Sequence, residues 1–182
     1  MKNILIVLAL ILTACGTTAR ITWEGVKPLI NTEDSVQLYE FQMIHVNGVL
    51  EGLILVKKNN LNRPHLVLTS YFSLSLFDLE GTAEGYKVNY VIDVLDRRSV
   101  LDLLWDDFSM LIDPSAWTGF RPVADDQGNI LLMTTGTGIR STVIKAADHA
   151  NGYPASIVIE HPALRLSVYL KVLQDAQGSI YH

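Results

Sequence analysis

The chain has 182 residues, a formal net charge of −5 and an isoelectric point of about 5.4. Because no basic field is available to attract phosphates, nucleic acid is not an expected partner. The length fits one domain with room for a sizeable core.

The first residues form an export signal. A short positive start, Met1-Lys2-Asn3, precedes the uninterrupted apolar run of residues 4–12. That run is too short to span a bilayer, which takes about 20 apolar residues, but it is typical of a secretory signal. The next residues, "LTAC" ending at Cys15, resemble the lipobox of bacterial lipoproteins, in which a cysteine follows the cleavage site and receives a diacylglycerol. An ordinary signal peptide with a chance cysteine is the alternative.

We therefore expect residues 1–14 to be a lipoprotein signal peptide, with cleavage between Ala14 and Cys15. A lipidated Cys15, the only cysteine in the chain, is unavailable for a disulfide, a metal or nucleophilic catalysis. Two acyl chains make such an anchor stable. Gly16 in place of an aspartate favours sorting to the outer membrane, so the predicted location is its periplasmic face. Residues 15–33 are expected to be a tether with a short helix around Trp23, and residues 34–182 a β domain.

The rest of the chain is dominated by alternation of apolar and polar residues, which is typical of half-buried strands. Predicted strands cover residues 35–46, 49–58, 65–71, 74–79, 86–94, 129–135, 139–146, 155–161 and 165–172. Tight turns separate them, and Asn47-Gly48 is the strongest hairpin signal because both residues tolerate positive φ. Consecutive strands joined by short turns predict an antiparallel meander.

One segment, residues 97–114, has helical spacing instead. Val100, Leu104, Phe108 and Leu111 fall on one stripe, and Asp113-Pro114 marks the stop. An amphipathic helix between two sets of strands must bury its stripe, and the concave side of a curved sheet is the natural place. The expected fold is therefore mainly β, an incomplete antiparallel barrel capped by a helix.

The turn between the strands at 65–71 and 74–79 carries two aromatic residues, Tyr71 and Phe72. Turns are normally built from Gly, Asn, Asp, Ser and Pro, so large aromatics at an exposed turn need a reason. We expect them to face lipid, either a bilayer or a ligand, since aromatic rings suit a membrane interface. The alternative is one continuous strand through residues 66–79, with both aromatics in the core.

No catalytic or metal motif is found. The five histidines lack metal-ligand spacing, and neither a Gly-x-Ser-x-Gly elbow nor a phosphate loop is present. The adjacent pairs Asp148-His149 and Glu160-His161 are expected to be solvated, as is the acidic group on the helix. That group comprises Asp102, Asp106, Asp107 and Asp113. No enzyme, metal or cofactor is therefore predicted.

Two stretches carry a family resemblance. "RPHLVLTSYFSLSLFDL", residues 63–79, is similar to a hairpin of the LolB-like outer-membrane lipoproteins, and "YPASIVIEHPALRLSVYL", residues 153–170, matches their last two strands in order and spacing. The helix and its tail also resemble small bacterial lipoproteins of unassigned role that are encoded beside aryl-polyene or fatty-acid-like synthesis enzymes.

The resemblance implies a helix-capped, incomplete barrel around an apolar cavity for acyl chains. In LolB a turn leucine meets the membrane and is needed for release of the lipid cargo. Phe72 falls on that position, within Tyr71-Phe72-Ser73 where LolB has Pro-Leu-Gly. A periplasmic LolA-like carrier is the implied delivering partner.

The sequence thus predicts an outer-membrane lipoprotein that binds and hands over or inserts a lipid or lipidated molecule without catalysis. Cavity walls are expected from the apolar strand faces, with the helix as a lid. These candidate wall residues are Leu53, Leu55, Leu66, Leu68, Tyr86, Val88, Tyr90, Leu104, Phe108, Leu111, Leu166, Val168 and Leu170. The alternative is a structural lipoprotein that docks onto a cell-envelope assembly or export machine, and an enzyme acting on lipid is a distant third.

Overall fold

The computed structural model describes residues 27–32, 36–113, 119–136, 138 and 141–173. The predicted signal peptide, the lipid-attachment residue Cys15, the tether up to residue 26, Trp23 and Trp117 lie outside the described residues.

Ten strands and one α-helix make up the regular structure of the described residues. They follow the chain as β1 (Gln37–His45), β2 (Gly48–Lys58), β3 (Pro64–Thr69), β4 (Ser75–Thr82), β5 (Gly85–Val91), α1 (Arg98–Ile112), β6 (Arg121–Ala124), β7 (Ile130–Thr135), β8 (Thr142–Ala150), β9 (Tyr153–His161) and β10 (Leu166–Val172). A single 3₁₀ turn, Pro162–Leu164, joins the last two strands.

All ten strands belong to one antiparallel sheet with the order β5-β4-β3-β2-β1-β10-β9-β8-β7-β6. Two meanders, β1 to β5 and β6 to β10, are joined by the pairing of β1 with β10, in which Phe41 lies opposite Leu170. The sheet is open, because β5 and β6 are its edges. The predicted mainly β, antiparallel architecture with a mid-chain helix is confirmed, and an open sheet is consistent with an incomplete barrel.

The meander places alternate connections at opposite ends of the sheet. We call the end formed by residues 46–47, 70–74 and 162–165 the aromatic end, because it carries Tyr71 and Phe72. The other end, formed by residues 59–63, 83–84 and 151–152, is called the cleft end. The described chain enters at the cleft end, where Lys27 lies over the ring of Tyr153.

Strand boundaries differ from the prediction where the local chemistry is irregular. β6 was not predicted, because four residues that include Pro122 give no alternation; proline is tolerated there since β6 is an edge strand. β8 begins at Thr142 rather than residue 139 and continues to Ala150, through Asp148 with a positive φ of 56°. The aspartate tolerates this conformation better than a β-branched residue would.

The helix lies against one face of the sheet and shares its core. Five large apolar side chains of α1 are buried: Leu101, Leu104, Phe108, Leu111 and Ile112. They belong to one hydrophobic cluster with inward-facing residues of both meanders, such as Phe41 and Ile159. The N–H groups of Leu29 and Ile30 both donate to the Leu111 carbonyl at 2.9 and 3.0 Å, which satisfies one acceptor at the helix end.

The filled interface predicts a large penalty for shortening a helix side chain. Replacing fully buried Phe108 with alanine should lower the free energy of unfolding by about 3–5 kcal/mol, because it leaves a cavity in a close-packed core. Urea denaturation followed by circular dichroism measures this value. The matched change Leu61→Ala, at a loop residue that is 69% exposed, should cost less than about 0.5 kcal/mol. A loss of under about 1 kcal/mol for Phe108→Ala would show that the side chain faces empty space.

Candidate functional site

The β3–β4 turn presents large apolar side chains to solvent. Phe72 is 89% exposed, Tyr71 54% and Leu74 66%. The alternative of a continuous strand with buried aromatics is therefore wrong, and the prediction of an exposed aromatic turn is confirmed. Three neighbouring apolar side chains exposed together are unusual for a soluble surface and typical of an interaction site.

The backbone of this turn is well organised by Ser70. Its hydroxyl accepts hydrogen bonds from the N–H groups of Phe72 and Leu74 at 3.3 and 3.2 Å, and its own N–H donates to the Leu74 carbonyl at 2.8 Å. Ser73 takes a positive φ of 61° to close the loop. Because local hydrogen bonds hold the backbone, the aromatic side chains are not needed as packing anchors and remain outside the core.

Glycine at position 52 lets strand β2 pass close under the start of this turn. A Cβ atom there would lie 2.0 Å from the carbonyl oxygen of Thr69, which is part of the backbone and cannot move aside. The close approach sets where β3 ends and the turn begins. The turn is thus determined by Gly52 on one side and Ser70 on the other.

Seven of the predicted cavity residues do lie on the helix-facing side of the sheet or on the helix stripe. They are Leu66, Leu68, Leu104, Phe108, Leu111, Val168 and Leu170, each at most 2% exposed. An atom lining a void large enough for water would be accessible to a water-sized probe, and these are not. They pack against one another in a filled core, so the helix does not cover an open cavity at these residues. Leu166 packs at the margin of the same core.

Leu53 and Leu55 were assigned to the wrong face. In β2 the buried positions are Ile54 and Val56, so the leucines between them point to the outer face of the sheet. Leu55 lies opposite Leu38 of β1 and Val67 of β3. Because both faces of β2 carry apolar residues, alternation alone could not identify the inner one.

A β-bulge in β5 changes the face of one predicted residue, Tyr90. Tyr86 packs on Trp105, with ring centroids 5.1 Å apart, and its hydroxyl donates to Asp102 of the helix at 2.7 Å. Burial, and then this carboxylate, raise the pKa of Tyr86 to about 12. Beyond Val88 the register shifts, so Tyr90 lies opposite Asp78 on the outer face. Val88 and Tyr90 are both exposed.

A buried polar pair that the sequence analysis placed in solvent links the helix to the sheet. Asp107 is 1% exposed and His161 4%, and the Asp107 Oδ2 and His161 Nε2 atoms are 2.9 Å apart. The other ring nitrogen of His161 lies 3.3 Å from the hydroxyl oxygen of Thr142. Asp107 Oδ1 is buried without a hydrogen-bond partner. The helix α1 and the strands β8 and β9 therefore meet at the imidazole of His161.

The sequence contains a signal for the burial of this pair. Asp107 follows Leu104 by three residues and precedes Leu111 by four, so it falls within the buried stripe of the helix. His161 continues the inward series of Ile157 and Ile159 in β9. An ionisable residue at a core position on each element is the pattern expected of a buried pair.

An open cleft of about 510 Å³ lies at the cleft end, between α1 and the β2–β3 loop. Trp105 and Ile112 of the helix form part of its apolar lining, and Lys58 and Arg63 also line it. Its volume falls in the range of about 300–1,000 Å³ that is common for small-molecule sites. Trp105 lies half-buried in this cleft.

Neither a metal site nor a membrane-spanning helix is found in the part of the chain that is described. No three His, Cys, Asp or Glu side chains among these residues come close enough together to hold a metal ion. Among the same residues, no helix is both long enough and apolar enough to cross a bilayer.

Comparison of the chain with protein-family models and with curated proteins finds no match in either case.

The buried pair predicts a strong asymmetry between two substitutions. His161→Ala should lower the free energy of unfolding by about 3–5 kcal/mol, because it leaves a buried carboxyl group without its partner. Asp107→Asn keeps an acceptor for the His161 ring and should cost only about 1–2 kcal/mol. Denaturant unfolding of both variants at neutral pH measures the difference. Equal and small costs would contradict a buried, coupled pair.

The same pair predicts a pH dependence. Burial raises the pKa of Asp107 above its ordinary value of 3.8, outweighing the hydrogen bond from His161. The folded protein therefore holds this proton more tightly than the unfolded chain does. Its stabilising contribution is complete below pH 3.8 and is lost as the pH rises through the raised value. The cost of Asp107→Asn, measured by urea unfolding at a series of pH values, should accordingly shrink as the pH rises; a cost that grows would reverse the sign of the shift.

Proposed function

We propose that this protein is a lipid-anchored lipoprotein of the outer membrane, LolB-like in fold, that handles a lipid or lipidated molecule at the bilayer surface without catalysis. The observation that carries the proposal is the exposure of Phe72 on an organised turn between two strands. Burying a phenylalanine or leucine side chain is worth about 1.5–3 kcal/mol, and the turn offers three large apolar groups to a bilayer.

Other exposed apolar residues at the aromatic end support membrane contact. Val46 and Val49 flank the β1–β2 turn, and Leu164 lies in the β9–β10 connection; all three are exposed. Since these connections lie at the same end of the meander as Phe72, they would enlarge a membrane-facing surface. Phosphate-rich interfaces also suit the tyrosine at position 71, whose hydroxyl can stay in water.

The tether is long enough for the lipid anchor at Cys15 and the aromatic turn to contact the same membrane. Residues 15–26 lie between the proposed anchor and Lys27, and at about 3.3–3.6 Å per residue they can reach about 40 Å. The six residues of β3 span only about 20 Å. The four strand spacings from β3 to β9 add about 19 Å sideways. The anchor and the aromatic turn can therefore meet one bilayer.

Lipid handling in this proposal does not use an enclosed cavity beneath the helix. Exposing five buried side chains of α1 would cost on the order of 10 kcal/mol, which is comparable to the whole stability of a domain. The exposed turn and the open cleft are the surfaces available to a lipid without that cost. A LolA-like periplasmic carrier remains the proposed source of cargo.

A second function is favoured by the filled core itself. A packed domain on a lipid anchor is suited to a structural or interaction role, in which the aromatic turn contacts a protein of a cell-envelope assembly or export machine. The same exposed side chains serve either function, so lipid transfer must be measured directly.

Transfer of a fluorescent acyl lipid between donor and acceptor vesicles separates the two functions. Phe72→Asp should reduce the transfer rate about tenfold, because it removes roughly 1.5–3 kcal/mol of membrane contact and introduces a charge. Its free energy of unfolding should stay within about 0.5 kcal/mol of the parent value, as expected for a surface substitution.

Val123→Asp is the matched control, since Val123 is an exposed apolar residue of the edge strand β6 and belongs to neither the aromatic turn nor the cleft lining. It should leave transfer unchanged. If the parent protein transfers no lipid from donor to acceptor vesicles, the lipid-handling function is wrong and the interaction role is retained.

A further inference from the structure

We infer that the cleft beside α1 binds a single-chain amphiphile with an anionic head, a carboxylate or a phosphate, its chain lying on Trp105 and its head on Lys58 and Arg63. The inference rests on the proposed lipid-handling function, and it names the class of lipid and its site.

The position of Lys58 is the first observation. In β2 the inward-facing positions are Ile54, Val56 and then Lys58, so a lysine stands where the sheet would otherwise continue its core stripe. Lysine at a half-buried, inward position is uncommon without a partner. Within the described residues, Lys58 and neighbouring Arg63 take part in none of the four ion pairs, which involve other cations.

The charges around the cleft leave an excess for a ligand. The end of α1 carries a partial negative charge, and Asp113 follows it. One cation is enough to balance a carboxylate of this kind. The second cation remains available to donate hydrogen bonds to an anionic head. Arginine in particular forms paired hydrogen bonds with a carboxylate or a phosphate.

The apolar part of the cleft lining comes from the helix, and a glycine allows the helix and the β2–β3 loop to approach each other. Trp105 and Ile112 offer apolar surface from the helix, with Pro28 at the margin. At Gly81 a Cβ atom would lie 3.2 Å from the Trp105 ring and 2.8 Å from Arg63 Cβ, so only glycine lets the ring and the loop approach each other there. A cleft lined by two cations and a tryptophan is suited to one chain with one charged end.

The place of the cleft relative to the anchor is the last observation. Pro28 and Thr32, in the segment leading back toward Cys15, line the cleft. An amphiphile bound in the cleft would therefore lie beside the segment that leads to the anchor, at the opposite end of the sheet from the aromatic turn. Carboxylate and phosphate heads share the same recognition chemistry, so the probes must separate them.

Photolabelling of the full-length lipidated protein in zwitterionic nanodiscs tests this inference. Three probes with the same diazirine-labelled hexadecyl chain are compared, and they end in a carboxylate, a phosphate or a neutral hydroxyl. Mass spectrometry should place label from one or both anionic probes on the segments 58–64 and 105–113, at least fivefold above the neutral probe. The carboxylate and phosphate arms identify which head is preferred.

Substitutions on one strand give a matched pair. Lys58→Glu should reduce labelling of the cleft by the anionic probes at least fivefold, whereas Lys57→Glu, on the outer face opposite His65, should leave it unchanged. Lys58→Gln keeps the side-chain length and should give a loss intermediate between the two, which guards against misfolding of the glutamate variant. Thermal unfolding of all three confirms a folded protein.

Three results overturn the inference. They are equal labelling of the cleft by the neutral probe, equal effects of Lys57→Glu and Lys58→Glu, and label confined to residues 70–74. The last result removes the cleft as a site but keeps the proposed lipid contact at the turn. Absence of label throughout the protein with all three probes counts against the proposed function as well.

Discussion

Burial of the helix stripe against the sheet is the constraint on which the rest of the structure depends. Five apolar side chains of α1 fill the helix-facing side of a ten-stranded sheet, together with inward residues of both meanders. Because the sheet is open, with β5 and β6 unpaired to each other, its own hydrogen bonds cannot complete a barrel. The helix supplies the missing coverage, and the Asp107–His161 contact fixes it laterally with a directional bond.

This packing determines where function can be located. With the helix-facing side filled, two surfaces stand out at the margins: the aromatic turn at one end and the cleft at the other. The two are held by the same frame, since β3 connects the turn at Ser70 to the loop that carries Arg63. Such a rigid frame presents exposed apolar groups without any cost of unfolding.

Much of the architecture follows from the sequence, because alternation and helical spacing report directly on burial. The helix at residues 97–114 and the aromatic turn were predicted nearly as observed. The choice of sheet face was less accessible. Leu53 and Leu55 have apolar neighbours on both sides, and the extra residue in β5 that moved Tyr90 outward leaves no mark in the alternation.

The buried pair and the cleft show a different limit. Asp107 and His161 each occupy a core position within a series of apolar residues. Their burial could be predicted from the sequence only by assuming that the two residues pair with each other. The cleft depends on the spatial meeting of Lys58 in β2 and Trp105 in α1, which are far apart in the chain. A single sequence contains no direct signal for such a contact.

Native-state hydrogen exchange of the helix tests the central claim most directly. If α1 is a fixed part of the core, its central amides should exchange only through global unfolding, with the same free energy as the amides of β1 and β2. A free energy of opening for the helix amides several kcal/mol below that of the central strands would show that the helix opens independently. It would then be a movable lid, and the account of a filled and permanent core would be wrong.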